Sequence, residues 1–390
     1  MNATPAQGSS AGPLGGLTVI DLSRALAGPY ASMMLADAGA DVIKVERPDG
    51  GDDSRGWGPP FVGEGDARES GYFLAVNRSK RSITLDLKEP ADVAELRALL
   101  ANADVLIENF RPGVMERLGL GPEDLERLNE RLVVLSITGF GEGGPDGHRS
   151  GFDQILQGEA GLMGITGPVG GPPLRSGVPV TDILAGMFGA YGVTAALRER
   201  EVTGRGQRVT TSLLAAGVAV HAYQGTRYTI GGEIPQPGGN RHASIAPYAA
   251  FTCADGYINI AVGSEGLWRR FAPVAGLDPD DPRYATNLDR VDNYDDLEAE
   301  INAVFIAESV DVWMSRMDEA GVPAGRIRTM EEVYTWDQVE HLEMIDRVIH
   351  PSAGELELPG APVRWSRSGR RIAEPPPRLG EHNDEVLGER

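Results

Sequence analysis

Residues 17–46 read LTVIDLSRALAGPYASMMLADAGADVIKVE, and their order decides the fold class. LTVIDLS (17–23) is an apolar run of strand length, GPYASMMLADAGA (28–40) is long enough for a helix, and DVIKVE (41–46) is a second apolar run. Short apolar runs alternating with helical segments predict an α/β architecture built on a parallel sheet. The alternation continues through the strand RSITLDL (81–87), the helix EPADVAELRALLANA (89–103) and the strands DVLIENF (104–110) and LVVLSITGF (132–140). Helices near 152–163 and after Asp182, and a strand RVTTSLL (208–214), extend it.

A chain of 390 residues is long enough for about two domains. The texture changes at GGEIPQPGGN (231–240), and APYAAFTCADGYINIAV (246–262) reads as a hairpin turning at Asp255-Gly256. The expected layout is a tail over 1–12, a large domain over 13–230 with 340–390, a linker at 231–239 and a small α+β domain over 240–339.

A formal charge of −21 argues against nucleic-acid and anionic-membrane partners, which attract basic surfaces. The single cysteine, Cys253, forms no intrachain disulfide, so a reducing cytoplasmic setting is expected. The first strand is followed by SRALAGP (23–29), not by a G-x-G-x-x-G dinucleotide turn, and there is no G-x-x-x-x-G-K-[ST] phosphate loop. The six histidines form no metal-binding spacing, so no metal is expected. A G-x-S-x-G nucleophile elbow is also absent.

Two features carry chemistry. All three lysines, Lys44, Lys80 and Lys88, fall in the first 90 residues among Arg47, Arg55, Arg78 and Arg81. That cluster reads either as a seat for phosphates or as a solvated basic edge. In TDILAGMFGAYGVTAAL (181–197), Asp182 stands alone before a long uncharged run. It reads as a helix cap, or as a nucleophile that the helix dipole keeps ionised while apolar neighbours exclude water. Asp153, in SGFDQ (150–154), is equally ambiguous.

A set of ordered blocks resembles the family III CoA-transferases, which include formyl-CoA transferase, the carnitine CoA-transferase and α-methylacyl-CoA racemase. Besides residues 17–46, the blocks are NRSKRSITLDLKEP (77–90), DVLIENFRPGVMERLGLG (104–121), GFDQILQGEAGLMGITG (151–167), TDILAGMFGAYG (181–192), TGRGQRV (203–209) and GNRHASIAPYAAFTCADG (239–256). The resemblance implies a Rossmann-like large domain, a smaller second domain and an interlocked homodimer. Acyl-CoA and a small carboxylic acid are then the substrates, with no permanently bound cofactor.

Carried over position by position, the resemblance puts CoA contacts on Ala25, Leu26, Ala27, Arg47, Leu85, Leu87, Lys88, Asn109, Phe110 and Arg117. It makes Asp182 the acyl-accepting nucleophile and Gly238 and Gly239 part of a loop over the site. Leu26 stands where formyl-CoA transferase has a glutamine. The GNRH block resembles the branch that handles dicarboxylates, where Arg241 either clamps a distal carboxylate or meets solvent or an internal acid. The racemase branch has a histidine base where this chain has Phe152, which accepts no proton. CoA transfer is therefore the expected activity, with succinyl-CoA as the donor and a dicarboxylate as the acceptor that the resemblance suggests. A racemase, an acyl-CoA-binding homologue and a thioesterase are the alternatives.

Overall fold

The apolar runs form six parallel strands: β1 (Thr18–Asp21), β2 (Asp41–Glu46), β3 (Lys80–Thr84), β4 (Val105–Glu108), β5 (Val133–Thr138) and β6 (Arg208–Ser212). They lie in the order β3-β2-β1-β4-β5-β6, with each neighbouring pair parallel. This is the doubly wound order, in which the chain reverses its direction of travel across the sheet between β1 and β4. The crevice beyond the carboxyl ends of the strands at that reversal is where such sheets bind ligands. The computed structural model describes residues 12–65, 68–368 and 373–388. The tail expected over 1–12 therefore lies outside the described residues except for Gly12.

Because both faces of the sheet are covered, its strands are apolar throughout rather than alternating. On one face α1 (Ala27–Asp37) and a long helix pack on Val19, Val105, Val133 and Leu135. On the other, α2 (Pro90–Leu100) packs on Ile20, Ile43 and Leu106 through Leu96 and Leu100. A short helix, α3 (Asp153–Glu159), precedes the long one, α4 (Val180–Thr203). Hairpin and helix at the C-terminal end of the chain belong to the same unit. There Asn383 accepts from the Thr84 N–H at 2.8 Å and His382 donates its N–H to the Ser82 carbonyl at 2.9 Å, so this segment lines the β3 edge.

α4 has the length and hydropathy of a membrane span, with a mean hydropathy of 1.4 over its most apolar window. Its small-residue stripe, Ala185, Gly186, Gly189, Ala190, Val193 and Ala196, is instead buried against the sheet and α1. The opposite side leaves Met187, Phe188 and Tyr191 exposed. The stripe permits close approach: a Cβ on Gly186 would sit 2.6 Å from the Ala27 carbonyl oxygen. α4 ends at Gly204, whose φ of +76° favours glycine.

A second compact unit comprises Met163–Arg175 and Arg227–Trp336. It carries the antiparallel strands β7 (Tyr248–Thr252), β8 (Tyr257–Ala261) and β9 (Ala324–Arg326) in the order β9-β8-β7. Phe305 stacks on Trp313 at 4.1 Å in its core, beside Trp268 and Phe271. Residues 163–175, assigned from sequence to the large domain, join this unit. Gly239 donates its N–H to the Gly167 carbonyl at 2.9 Å, a tie that sequence patterning does not reveal.

The α1–α4 contact generates a test. Alanine is favoured over glycine in a helix by about 1 kcal/mol, but a methyl against a fixed backbone carbonyl costs about 1–3 kcal/mol. Gly186→Ala is expected to lower the thermal midpoint, read by circular dichroism. A raised midpoint would contradict the close packing.

Candidate active site

At the carboxyl ends of β1–β4 a cleft of about 560 Å³ opens on the switch point. Of the predicted contacts, Arg47, Leu85, Leu87, Lys88 and Phe110 line it. Ala25, Leu26, Ala27, Asn109 and Arg117 are not on its wall. Arg24 and Arg111, which the sequence reading did not single out, are. Arg47 pairs with Asp53 at 2.8 Å, and both side chains are exposed. Such a pair is worth only about 0–1 kcal/mol, so a phosphate can displace it. Apolar Leu85, Leu87 and Phe110 between these cations suit a ligand with a flat ring at one end and phosphates nearby. A second cleft of about 210 Å³ is lined by Glu108, Glu116, Glu126 and Glu130 against one cation, Arg208, a balance that disfavours a polyanion.

Apart from Arg47 and Lys88, which line the cleft, the basic cluster is neither of the two things its sequence allowed. Lys44 and Lys80 are fully buried and pair with Asp52 at 2.8 Å and Asp21 at 3.2 Å. Arg55 pairs with Glu46 at 2.7 Å, Arg78 with Asp37 at 2.5 Å, and Arg81 with Asp41 at 2.5 Å. Of the three lysines only Lys88 reaches the cleft wall. Acids elsewhere in the large unit neutralise the rest, and for Lys80, Arg78 and Arg81 those acids are distant in sequence. Asn109 is likewise committed to the backbone. It accepts from the Arg24 N–H at 2.9 Å and donates to the Arg24 carbonyl at 2.7 Å.

The cap question has a definite answer in the structure. α4 starts at Val180, its N-cap is Pro179, and Asp182 is its third residue with no side-chain capping bond. Asp153 takes that role from the first position of α3. Its Oδ1 accepts from the Thr181 N–H at 2.9 Å and from the Thr181 hydroxyl at 2.8 Å. Gln157 holds the other oxygen at 2.7 Å and itself accepts from the Ser176 N–H at 2.8 Å. Asp153 is thus buried and saturated, while Asp182 is half-buried and has no hydrogen-bond partner among the described residues.

Burial, and then the negative charge of Asp153, pushes Asp182 up from 3.8 to about 7. The helix dipole expected to keep it ionised is therefore opposed by desolvation, and desolvation is the larger effect. A carboxylate that gives up solvation without gaining bonds is a stronger nucleophile than one in water.

Sequence reasoning missed Tyr72, which lies in an unremarkable apolar stretch, GYFLA (71–75). It packs on the cluster of Leu26, Met33 and Val76, against which Ile183, the neighbour of Asp182, also packs. Burial, followed by the charges of Asp182, Asp153 and Asp52, pushes its phenol up to about 12. Trp57 meets its ring edge-on at 5.0 Å. This cluster links the Leu26 turn beside the cleft to the start of α4.

Gly238, Gly239 and Arg241 belong to the second unit. Gly239 has a φ of +63°. Arg241 pairs with Asp295 and Glu298, each at 2.6 Å, and its guanidinium lies 4.3 Å from the Tyr294 ring centre. Both arms of its fork meet internal acids, so an acceptor carboxylate would have to displace them. Among the described residues no group of side chains could hold a metal ion.

Known proteins resemble this chain over most of its length. The profile of CoA-transferase family III matches residues 14–383. Succinyl-CoA:glutarate CoA-transferase of Mus musculus is 40% identical over 379 residues, 97% of this chain and 86% of that protein. Succinate–glutarate CoA-transferase of Agrobacterium fabrum is 42% identical over 388 residues, 97% of this chain and 95% of that protein. The crystal structure of a CAIB/BAIF family protein from Brucella suis superposes with a TM-score of 0.87 at 37% identity, covering 97% of this chain and 99% of that one. With that profile spanning residues 14–383 and these relatives covering nearly the whole chain, the chain, with its doubly wound sheet and switch-point cleft, belongs to CoA-transferase family III.

Proposed function

We propose that the chain moves CoA from an acyl-CoA donor to a carboxylic acid through covalent intermediates on Asp182. The observation that carries this reading is the division of labour between two aspartates, Asp153 saturated as a cap and Asp182 left without partners. In the cleft, Arg47, Lys88 and Phe110 hold the nucleotide end of CoA. An Asp182 oxygen attacks the thioester carbon, the C–S bond breaks, and CoA leaves as thiolate, giving an acyl–aspartyl anhydride. The thiolate then attacks the aspartyl carbonyl, which releases the donor acid and forms an aspartyl-CoA thioester. An acceptor carboxylate attacks that thioester, and the same steps in reverse yield the new acyl-CoA and free Asp182. One thioester is exchanged for another, so no external energy source or metal enters the balance.

Succinyl-CoA as donor and a dicarboxylate such as glutarate as acceptor are favoured by the names of the two relatives at 40% and 42% identity. A racemase reading has less support, because Phe152 supplies no base beside Asp153. We further infer a homodimer of interlocked chains, supported by the exposed apolar Met187, Phe188 and Tyr191 on α4. The buried free thiol of Cys253 suits a cytoplasmic setting.

These statements are open to direct test. Incubated with succinyl-CoA and a panel of dicarboxylic acids, wild type is expected to form new acyl-CoA species by mass spectrometry. Asp182→Ala is expected to fold and bind CoA but transfer at least ~10⁴-fold more slowly; equal turnover would sink the assignment. Because the nucleophile must be ionised, the rate is expected to rise with pH and level off above about 7, where Asp182 loses its proton. Asp153→Asn keeps the acceptor for Thr181 and removes a negative neighbour, so the limb should move to lower pH. An unmoved limb would assign it to another group. Sedimentation equilibrium should return twice the 41.6 kDa chain mass, and a monomer would contradict the dimer.

A further inference from the structure

We infer that the buried quartet Asp21, Lys44, Asp52 and Lys80 is a positioning device that fixes the main chain of Ser23–Leu26, and through it the reacting end of acyl-CoA against Asp182. The inference rests on the reading of the switch-point cleft as the acyl-CoA site.

Two of the chain's three lysines are spent where no ligand can touch them. Buried ion pairs are weak contributors to stability, since apolar side chains of similar size fill such space at least as well. Their bonds indicate another purpose. Lys44 donates to the Ser23 carbonyl at 2.8 Å and Lys80 to the Pro29 carbonyl at 2.9 Å, gripping the start of the β1–α1 turn and the first turn of α1. Asp21 accepts from the Ser23 N–H at 2.9 Å and from the Ser23 hydroxyl, and Asp52 accepts from the Ala25 N–H at 3.0 Å.

With Asn109 on both polar groups of Arg24, each backbone donor and acceptor from the Ser23 N–H to the Ala25 N–H is held by a side chain. Ala25 is thereby kept at a φ of +68°, a left-handed conformation that alanine disfavours. A local turn sequence would not choose this shape; the quartet imposes it.

What the clamp leaves open is as informative. Among the described residues nothing accepts from the N–H groups of Leu26 and Ala27, which begin the first turn of α1. Leu26 belongs to the apolar cluster against which Ile183, the residue after Asp182, packs. A carbonyl oxygen of a thioester attacked by Asp182 would develop negative charge next to these donors. Their usefulness depends on being aimed in advance, because donors that must reorganise during the reaction stabilise it less. Lys44, Lys80 and Asp21 lie off the cleft wall, and Asp52, which borders it, spends an oxygen on the Ala25 N–H. They act through the turn.

The test separates positioning from stability. Lys44→Met removes the grip on Ser23 while filling the same space. It is expected to melt cooperatively and bind CoA within about threefold of wild type by calorimetry, yet show kcat reduced about 100-fold with little change in KM for acyl-CoA. Unchanged kcat in the folded variant, or losses of kcat and CoA binding in equal proportion, would overturn the proposal. Should Lys44→Met fail to fold, amide hydrogen exchange on wild type gives an independent reading. The Arg24 and Ala25 amides should be protected without ligand, and those of Leu26 and Ala27 only when a non-hydrolysable acyl-CoA analogue is bound. Exchange at Leu26 and Ala27 that ignores the analogue overturns the proposal even if CoA binds. Wild type that binds no CoA would instead overturn the reading of the cleft and the proposal with it.

Discussion

Asp153 accepts two hydrogen bonds from Thr181, and the character of the site follows from that cap. A helix as long as α4 needs its first N–H groups satisfied, and the nearest carboxylate in sequence, Asp182, is the obvious candidate. By supplying the cap from α3, the fold leaves Asp182 with burial and no compensation. Desolvation then dominates, and the negative charge of Asp153 adds to it. An acid that ionises near neutral pH and is not tied down by donors is suited to attack a thioester. The same arrangement lowers stability as pH rises from about 4 to 7, because the folded state binds that proton more tightly than the unfolded one.

The sheet explains why these pieces meet. Strand order places the chain reversal between β1 and β4, so loops after β1, β2, β3 and β4 converge on one cleft. α1 departs from the same point and packs against α4 closely enough that Gly186 has no room for a side chain. The turn at Ser23–Leu26, the cleft and the start of α4 are therefore parts of one rigid neighbourhood rather than separate features.

Much of this was legible in the sequence. Residues 17–46 announced a strand–helix–strand unit because buried parallel strands are apolar on both faces, and Asp255-Gly256 announced the β7–β8 hairpin by its turn chemistry. Asp182 was visible as a lone acid before an apolar run. What stayed hidden was partnership across the fold. Lys44 and Lys80 looked like phosphate ligands or surface charges and prove to be neutralised by Asp52 and Asp21. Asn109, which the resemblance makes a CoA contact, also holds both polar groups of Arg24. Arg241 meets Asp295 and Glu298, more than fifty residues further on. Local spacing carries periodicity and turn signals, but ion pairs and caps between distant segments are set by tertiary packing.

The central claim is that Asp182 carries the acyl group and then CoA. It is tested most directly by mixing the enzyme with succinyl-CoA, quenching with hydroxylamine and mapping the peptides by mass spectrometry. Both activated aspartyl species react with hydroxylamine to give a stable hydroxamate. The account predicts a hydroxamate on Asp182 that requires acyl-CoA and is absent from Asp153. Active turnover with Asp182 unmodified, or modification at a different acid, would contradict it.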